Sequence, residues 1–113
     1  MATLVQYGQL KFNKGQSFSY SGTSAQSSAL DSKTVAVRIS AQNDSDKIAL
    51  FDIGTNPTAT NSSIHIGTHK SSEYHDTKNA WIEFFIDRGT DLKIAFKSPA
   101  SNSGKAQIIE LKY

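Results

Sequence analysis

Cysteine is absent from this sequence of 113 residues, and proline occurs only twice. Without cysteine the chain has no disulfide, no thiolate nucleophile and no sulfur ligand for a metal, so packing and hydrogen bonds must supply its stability. The seven glycines are dispersed singly, which excludes a glycine-rich loop of the kind that cradles phosphate groups. Thiol chemistry and the common nucleotide-binding fingerprints are therefore excluded.

An excess of one charge is also lacking. Twelve basic and ten acidic residues give a formal net charge of +2, and the isoelectric point is about 8.9. The charges are interspersed, and only two of the basic residues are arginine. Proteins that bind nucleic acid favour a clustered basic stripe, so we expect no specific nucleic-acid partner.

Long hydrophobic runs are missing as well. No segment approaches the length of a membrane span, and the N-terminal residues MATLVQYGQLKFNKG contain no apolar stretch of signal-peptide length. We therefore expect no membrane association, and a chain that is made in a cytoplasm and not exported by the usual route. A hydrophobic fraction of 37% and a mean hydropathy of −0.42 predict a thin core, of the kind that a partner subunit often supplements.

Alternation of apolar and polar residues with a period of two runs through the chain and predicts β-strands. No window carries the apolar stripe of an amphipathic helix, although a turn or two of helix fits Ser72 to Asn79. Short strands with frequent turn signals predict one all-β domain over residues 1–113, a small antiparallel β-sandwich or barrel of about seven to eight strands. The predicted core includes Val35, Val37, Ile39, Phe84, Ile86, Leu92, Ile94 and Phe96.

Residues 1–32 are predicted to form an N-terminal hairpin or arm. Leu10 and Phe12 precede the turn-like residues 13–15, and Phe18 and Tyr20 follow them. Alternation on both sides of a glycine-containing turn is typical of a hairpin.

Three histidines offer the first candidate chemistry. His65, His69 and His75 lie within eleven residues, with Glu73 and Asp76 beside them. Imidazole and carboxylate groups are ligands for zinc and other divalent metals. Their spacing matches no familiar metal motif, however, and a segment rich in serine and lysine is typical of a solvated loop. We expect no metal and no other cofactor, and these histidines remain weak candidates.

Catalytic patterns find less support. No serine lies in a Gly-x-Ser-x-Gly turn, and Glu83, Asp87 and Asp91 are more simply strand-face and turn residues than a glycosidase pair. We expect no enzymatic activity. Exposed aromatic rings would instead indicate a sugar-binding module, and a lone tryptophan is more commonly half-buried. The available rings are those of Tyr7, Tyr20, Tyr74, Trp81 and Tyr113.

A series of short motifs is more specific. Residues 53–60 read IGTNPTAT and are preceded by Val37-Arg38-Ile39. Three strand-like segments follow, EFFI at 83–86, KIAF at 93–96 and IIEL at 108–111. This order resembles a group of small virion proteins of tailed bacteriophages and spans residues 33–113. This sequence has residues 87–91 where that group has a Pro-Gly-Asp turn. The segment 65–79 is longer and more polar than the corresponding segment of the group's pattern.

The resemblance implies a virion structural protein without catalytic residues. We expect a head decoration or cement protein that binds the major capsid protein or other virion proteins, is located in the virion, and forms a homo-oligomer, with a trimer favoured. A tail or neck component and a carbohydrate-binding module are the alternatives. Apolar residues near the N-terminus are the predicted partner-binding set, because a free tail should carry fewer of them: Leu4, Val5, Tyr7, Leu10 and Phe12.

Overall fold

The computed structural model of the protein describes residues 10–71, 81–87 and 91–113. Within these ranges it contains eight β-strands and no α-helix, which confirms the predicted fold class. The strands are β1 (Lys11–Tyr20), β2 (Ala25–Gln26), β3 (Ala36–Gln42), β4 (Ile48–Gly54), β5 (Ile64–His69), β6 (Ile82–Phe85), β7 (Lys93–Lys97) and β8 (Gly104–Lys112). The segment in which a short helix was expected lies outside the described residues. No described helix is long and apolar enough to cross a membrane.

The strands form two layers of a nearly closed barrel. One layer has the order β1-β8-β3-β6, and the other has the order β5-β4-β7-β2. All of these neighbours are antiparallel, and the layers are joined by a short parallel pairing of β3 with β5 at two residues. On the side of the barrel opposite this pairing, the side chain of Gln16 in β1 links the two layers. Gln16 Oε1 accepts a hydrogen bond from the Ser28 backbone N–H at 2.9 Å.

Aromatic rings fill the space between the two layers. The fully buried Phe96 of β7 lies 5.8 Å from Phe51 and Phe18 and 5.9 Å from Tyr20, measured between ring centroids. Phe51 in turn stacks on Phe84 at 6.3 Å. Of the predicted core, four residues are fully buried, namely Val37, Ile39, Ile94 and Phe96, whereas Val35, Phe84, Ile86 and Leu92 are only half-buried at its margin.

The predicted N-terminal hairpin is wrong for the described residues. Lys11–Tyr20 is a single strand that pairs with β8 along its whole length, and the predicted turn is a β-bulge between Phe12 and Lys14. The Asn13 side chain at the bulge donates a hydrogen bond to Thr34 Oγ1 at 3.1 Å. A bulge places one extra residue in a strand without reversing it, so the turn-prone residues bend the chain instead of folding it back.

The interpretation of the histidine segment as a loop is also wrong for Ile64–His69, which forms β5. Ile66 is buried opposite Ala49 of β4, so one face of β5 completes the core. The other face leaves His65 exposed. In the sequence, Ile64 and Ile66 alternate with His65, but the residues that follow do not continue the alternation, so this strand was not predicted.

The IGTNPTAT segment ends β4 and continues into a loop that is bonded to β2. Leu50 of β4 is buried although its neighbours Ala49 and Phe51 belong to the core on the other face, and Pro57 and Ala59 are buried as well. Hydrogen bonds fix this loop to β2 and to the residues before it, from Gln26 Nε2 to Pro57 O at 2.8 Å and from Ala59 N–H to Ser24 Oγ at 2.9 Å. The motif therefore has a structural role as a loop that is tied to β2, with Pro57 and Ala59 buried.

Candidate functional site

The outer face of the β1-β8-β3-β6 layer carries a row of apolar side chains. Phe12, Leu111, Ala36 and Phe85 are consecutive cross-strand partners on these four strands. Directly opposed residues project on the same face, and the adjacent Val37 and Phe84 point into the core, so this row faces outward. Phe12 is 65% exposed and Phe85 is 52% exposed.

A second row lies beside the first. Ile109 of β8 is opposite Arg38 of β3, and Arg38 is opposite Glu83 of β6. Arg38 Nε lies 2.8 Å from Glu83 Oε2, and the guanidinium carbon lies 5.4 Å from the centroid of the Trp81 ring. Trp81, 37% exposed, precedes β6 on the same face. We call the six apolar members of both rows the outer patch: Phe12, Ala36, Trp81, Phe85, Ile109 and Leu111.

The β-bulge is the reason that Phe12 belongs to the outer patch. Phe12, Phe18 and Tyr20 all have even residue numbers, so strict alternation would place their side chains on one face of the strand. Phe18 and Tyr20 contact the core. Because the bulge adds one residue between Phe12 and Lys14, the register shifts and Phe12 is turned outward. Its ring lies over Gly15, where an added Cβ would be 3.8 Å from Phe12 Cε1.

Lysines gather at the corner where β1 begins and β8 ends. Lys11 and Lys112 are direct cross-strand partners, and Lys14 is opposite Glu110. Lys33 is at the same corner, because its backbone N–H donates a hydrogen bond to Asp31 Oδ1 at 2.8 Å, and the Asp31 backbone N–H bonds Glu110. The hydrogen bond from Lys33 N–H is the main reason that the pKa of Asp31 is lowered. We call these four residues the basic corner: Lys11, Lys14, Lys33 and Lys112.

A fully buried carboxylate lies beneath the basic corner. Glu110 Oε1 accepts hydrogen bonds from the Asp31 backbone N–H and from Thr34 Oγ1, both at 2.7 Å. Its other oxygen lies 3.5 Å from Gln16 Nε2 and 4.0 Å from Lys14 Nζ. Glu110 therefore ties the loop before β3 to the sheet and also faces the ammonium group of Lys14.

The opposite end of the barrel is polar and internally bonded. An open cavity of about 390 Å³ there is lined by residues of the 43–47 turn together with Thr68 and Lys70. Asn43 Oδ1 accepts hydrogen bonds from the backbone of Ser45 and Asp46, and Asp44 accepts two from Ser71. These bonds hold the turn in shape.

The histidines do not come together within the described part of the chain. His65 and His69 are both on β5, four residues and roughly 13 Å apart along the strand. Metal–nitrogen bonds are about 2 Å long, so this spacing does not suit a shared ion. His75 lies outside the described residues, among which no three ligating side chains are grouped for a metal.

The structure places the predicted partner-binding residues unevenly. Phe12 is a central member of the outer patch, Leu10 is half-buried just before β1, and Leu4, Val5 and Tyr7 lie outside the described residues. The sequence analysis did not identify the outer-face position of three aliphatic residues, the half-buried Ile109 and Leu111 and the buried Ala36. A signal was present in Phe84-Phe85, because adjacent residues of a strand face opposite sides and one of two large rings must point outward.

Comparisons with known proteins bear on the fold alone. No protein-family model matches the chain, and no curated protein does. Among solved structures, the chain is similar to a de novo designed double-stranded β-helix, with a TM-score of 0.50 and 13% sequence identity. The similarity covers 87% of this chain and 99% of the designed one. The chain therefore has a fold similar to a double-stranded β-helix.

Proposed function

We propose that this chain is a structural protein of a tailed-bacteriophage particle, a head decoration or cement protein that attaches to the major capsid protein or to other virion proteins. The observation that carries the proposal is the outer patch, in which three exposed aromatic rings share one sheet face with half-buried or buried aliphatic side chains. Exposed apolar patches rimmed by polar residues mark protein–protein contact sites. The order of motifs over residues 33–113 supports the assignment to a virion.

The size of the outer patch suits repeated weak attachment. Its first row crosses three strand spacings, about 14 Å. With side chains of ordinary area, the patch exposes on the order of 400 Å² of apolar surface, whereas each partner buries roughly 800 Å² in a stable interface. One such contact is weak, and a protein present in many copies on a shell, or joined in a closed oligomer, multiplies it.

The oligomer is the second part of the proposal. A homotrimer in which the N-terminal segment of one copy contacts the next would supply three outer patches with one orientation. Light scattering on the full chain and on a chain that begins at Leu10, which keeps β1 whole, tests this arrangement. A closed oligomer that weakens on truncation is expected, and a full chain that stays monomeric at high concentration would exclude it.

Attachment through the outer patch is tested by co-sedimentation with capsids that lack this protein. Phe12→Gln and Phe85→Gln each remove one exposed ring, and each is expected to weaken capsid binding at least ten-fold. Ile64→Gln is the matched control, because Ile64 is 56% exposed on the other layer. Equal binding by all three variants and the native chain would contradict the proposal.

A carbohydrate-binding module is the rival function, because Phe12, Trp81 and Phe85 are exposed on one face. Sugar sites place polar groups around a stacking ring, and here only the Arg38–Glu83 pair adjoins Trp81 while aliphatic side chains separate the other rings. Binding to a glycan array that is lost in Trp81→Ala would favour the module. A tail or neck position would use the same patch, and a density map of the whole particle distinguishes it from the head.

A further inference from the structure

We infer that the N-terminal segment of one copy adds to a second copy as an antiparallel strand, at the edge of β6 that faces away from β3. This inference rests on the oligomer of the proposed function and identifies the surface that receives the segment. The N-terminal segment is residues 1–9, which lie outside the described residues. Strand addition joins two chains through backbone hydrogen bonds, and alternate side chains give it specificity.

The receiving edge follows from the way in which strands pair with β3. One edge of β3 is paired with β8 over residues 36–42. Its other edge is shared, because β6 pairs with residues 36–39 and β5 with residues 41–42. In the described part of the chain β6 pairs with β3 alone, and no pairing joins β6 to β5. An added strand would therefore continue the first layer beyond β6.

The strand at the other margin of the first layer, β1, has features that hinder pairing with another chain. It contains Lys11 and Lys14 and a bulge before Lys14, and its Gln16 side chain is bonded to Ser28 of the second layer. Natural sheets protect their edges with lysine, proline and bulges. Although β6 is short, it contains no lysine and no proline, and its register with β3 has no shift. Strand addition is therefore favoured at β6 over β1.

The four residues of β6 alternate between the two faces of the sheet. Ile82 and Phe84 face inward, and both are half-buried and packed against the core. Glu83 and Phe85 face outward, where Phe85 belongs to the outer patch. A strand that complements β6 therefore needs two apolar residues toward the core, a polar residue beside Glu83 and an apolar residue beside Phe85.

Residues 4–7 of the N-terminal segment, LVQY, have this pattern in the reverse direction. An antiparallel register would form four cross-strand pairs, Leu4 with Phe85, Val5 with Phe84, Gln6 with Glu83 and Tyr7 with Ile82. Val5 and Tyr7 would cover the half-buried inner side chains, and the Gln6 amide would donate a hydrogen bond to the Glu83 carboxylate. Directly opposed aromatic and aliphatic side chains stabilise a sheet, so the segment is complementary to β6 at all four positions.

The reach of the chain assigns the added strand to a second copy. Since β8, β3 and β6 intervene, the added strand lies four strand spacings from β1, about 19 Å across the sheet. Ile82 is level with Ile108 of β8, whereas Lys11 is level with Lys112, about 13 Å further along the strand. Together these offsets amount to about 23 Å. The four residues from Tyr7 to Lys11 span at most about 14 Å, which is too short for the same copy.

Cysteine trapping tests the register, because the chain has no cysteine of its own. The trapping variant is Gln6→Cys/Glu83→Cys, which puts two thiols at opposed, outward positions of the inferred pair. Opposed residues of antiparallel strands have a Cα separation that a disulfide accepts. The control is Gln6→Cys/Lys105→Cys, which keeps the N-terminal thiol and moves the other to an exposed position on β8.

Under mild oxidation the trapping variant is expected to form covalent oligomers about a hundred-fold faster than the control. Thiols held in one complex meet at millimolar effective concentration, whereas separate copies meet at the roughly 10 µM of the assay. Val5→Asp added to the trapping variant should abolish the cross-link, because a carboxylate would then lie against Phe84. Gln9→Asp makes the same change in charge outside residues 4–7 and should leave the cross-link unchanged.

The outcomes separate this inference from the proposed function. Equal cross-linking in the trapping variant and the control, with an oligomer in light scattering, overturns the inference and leaves the oligomer intact. A covalent monomer without free thiols places the segment on its own copy and also overturns the inference. A chain that is monomeric and is not trapped overturns the inference together with the oligomer. A specific trap supports the inference even where the outer-patch variants bind capsids as well as the native chain and attachment through that patch fails.

Discussion

Replacement of Glu110 by alanine tests how much the hydrogen bonds of this buried carboxylate contribute to the stability of the fold. Glu110 is fully buried, and its Oε1 accepts hydrogen bonds from Asp31 N–H and Thr34 Oγ1 at 2.7 Å each. Thr34 Oγ1 also accepts the hydrogen bond of Asn13 at the β-bulge. Glu110→Ala therefore removes the acceptor for two donors and disturbs the anchor of the bulge that turns Phe12 outward.

The magnitude follows from those two donors. A buried donor that loses its partner lowers the free energy of unfolding by about 1–3 kcal/mol. Part of the loss from two such donors is offset, because the variant no longer has a buried charge to desolvate. We expect the free energy of unfolding to fall by about 2–4 kcal/mol, with a decrease in melting temperature of about 10 °C for a chain of this size. Glu110→Gln keeps one acceptor oxygen and the volume, and should cost about half as much.

Urea unfolding of these variants provides the assay, with Glu83→Ala as the control. Glu83 is an exposed glutamate whose side chain is 58% accessible, and loss of its ion pair should cost less than about 1 kcal/mol. A cycle with Thr34→Val should show coupling of about 1 kcal/mol with Glu110→Ala, because the two side chains share a hydrogen bond. A Glu110→Ala protein as stable as Glu83→Ala would refute the reasoning.

Three further outcomes are expected. Phe96→Ala should cost about 3–5 kcal/mol in urea unfolding and Phe84→Ala less, because Phe96 is fully buried at the centre of the ring cluster whereas Phe84 is half-buried; an equal loss would show that the ring cluster is misplaced. Burial raises the pKa of the Tyr20 phenol above its ordinary value of 10.0. The stability that this shift contributes is present below pH 10 and is lost as the pH rises through the raised value, so unfolding measured from pH 9 to 12 should depend less on pH in Tyr20→Phe. Dialysis against a chelator should leave the melting temperature unchanged, since a structural metal contributes folding free energy; a drop of several degrees that zinc reverses would restore the histidines as ligands.

Much of the fold was predictable because alternation is a local property of the sequence. Val37 and Ile39 of β3 alternate with polar residues or alanine, and the same is true of Ile94 and Phe96 in β7. The short strand β5 was missed because its alternation is limited to Ile64 and Ile66, and the glycine and polar residues that follow do not continue the period.

The candidate site was harder to predict, because it depends on which strands become neighbours. Phe12, Leu111, Ala36 and Phe85 are far apart in the sequence and form a row only after β8 lies between β1 and β3. The bulge at Asn13 then reverses the face of Phe12. The burial of Glu110 could have been predicted, because it alternates in phase with Ala106 and Ile108, both of which are buried. A charged group on that face needs hydrogen-bond partners in the interior.

The central position of β8 has a consequence for how the chain acquires this fold. Residues of β8 pair with β1 partners that are up to roughly a hundred positions away in the sequence. Contacts of such separation slow folding to the millisecond-to-second range that is usual for all-β domains. Until residue 112 has been synthesised, β1 and β3 expose open backbone edges that other chains can pair with. The yield of native protein is therefore expected to depend on how long and at what concentration incomplete chains accumulate during expression.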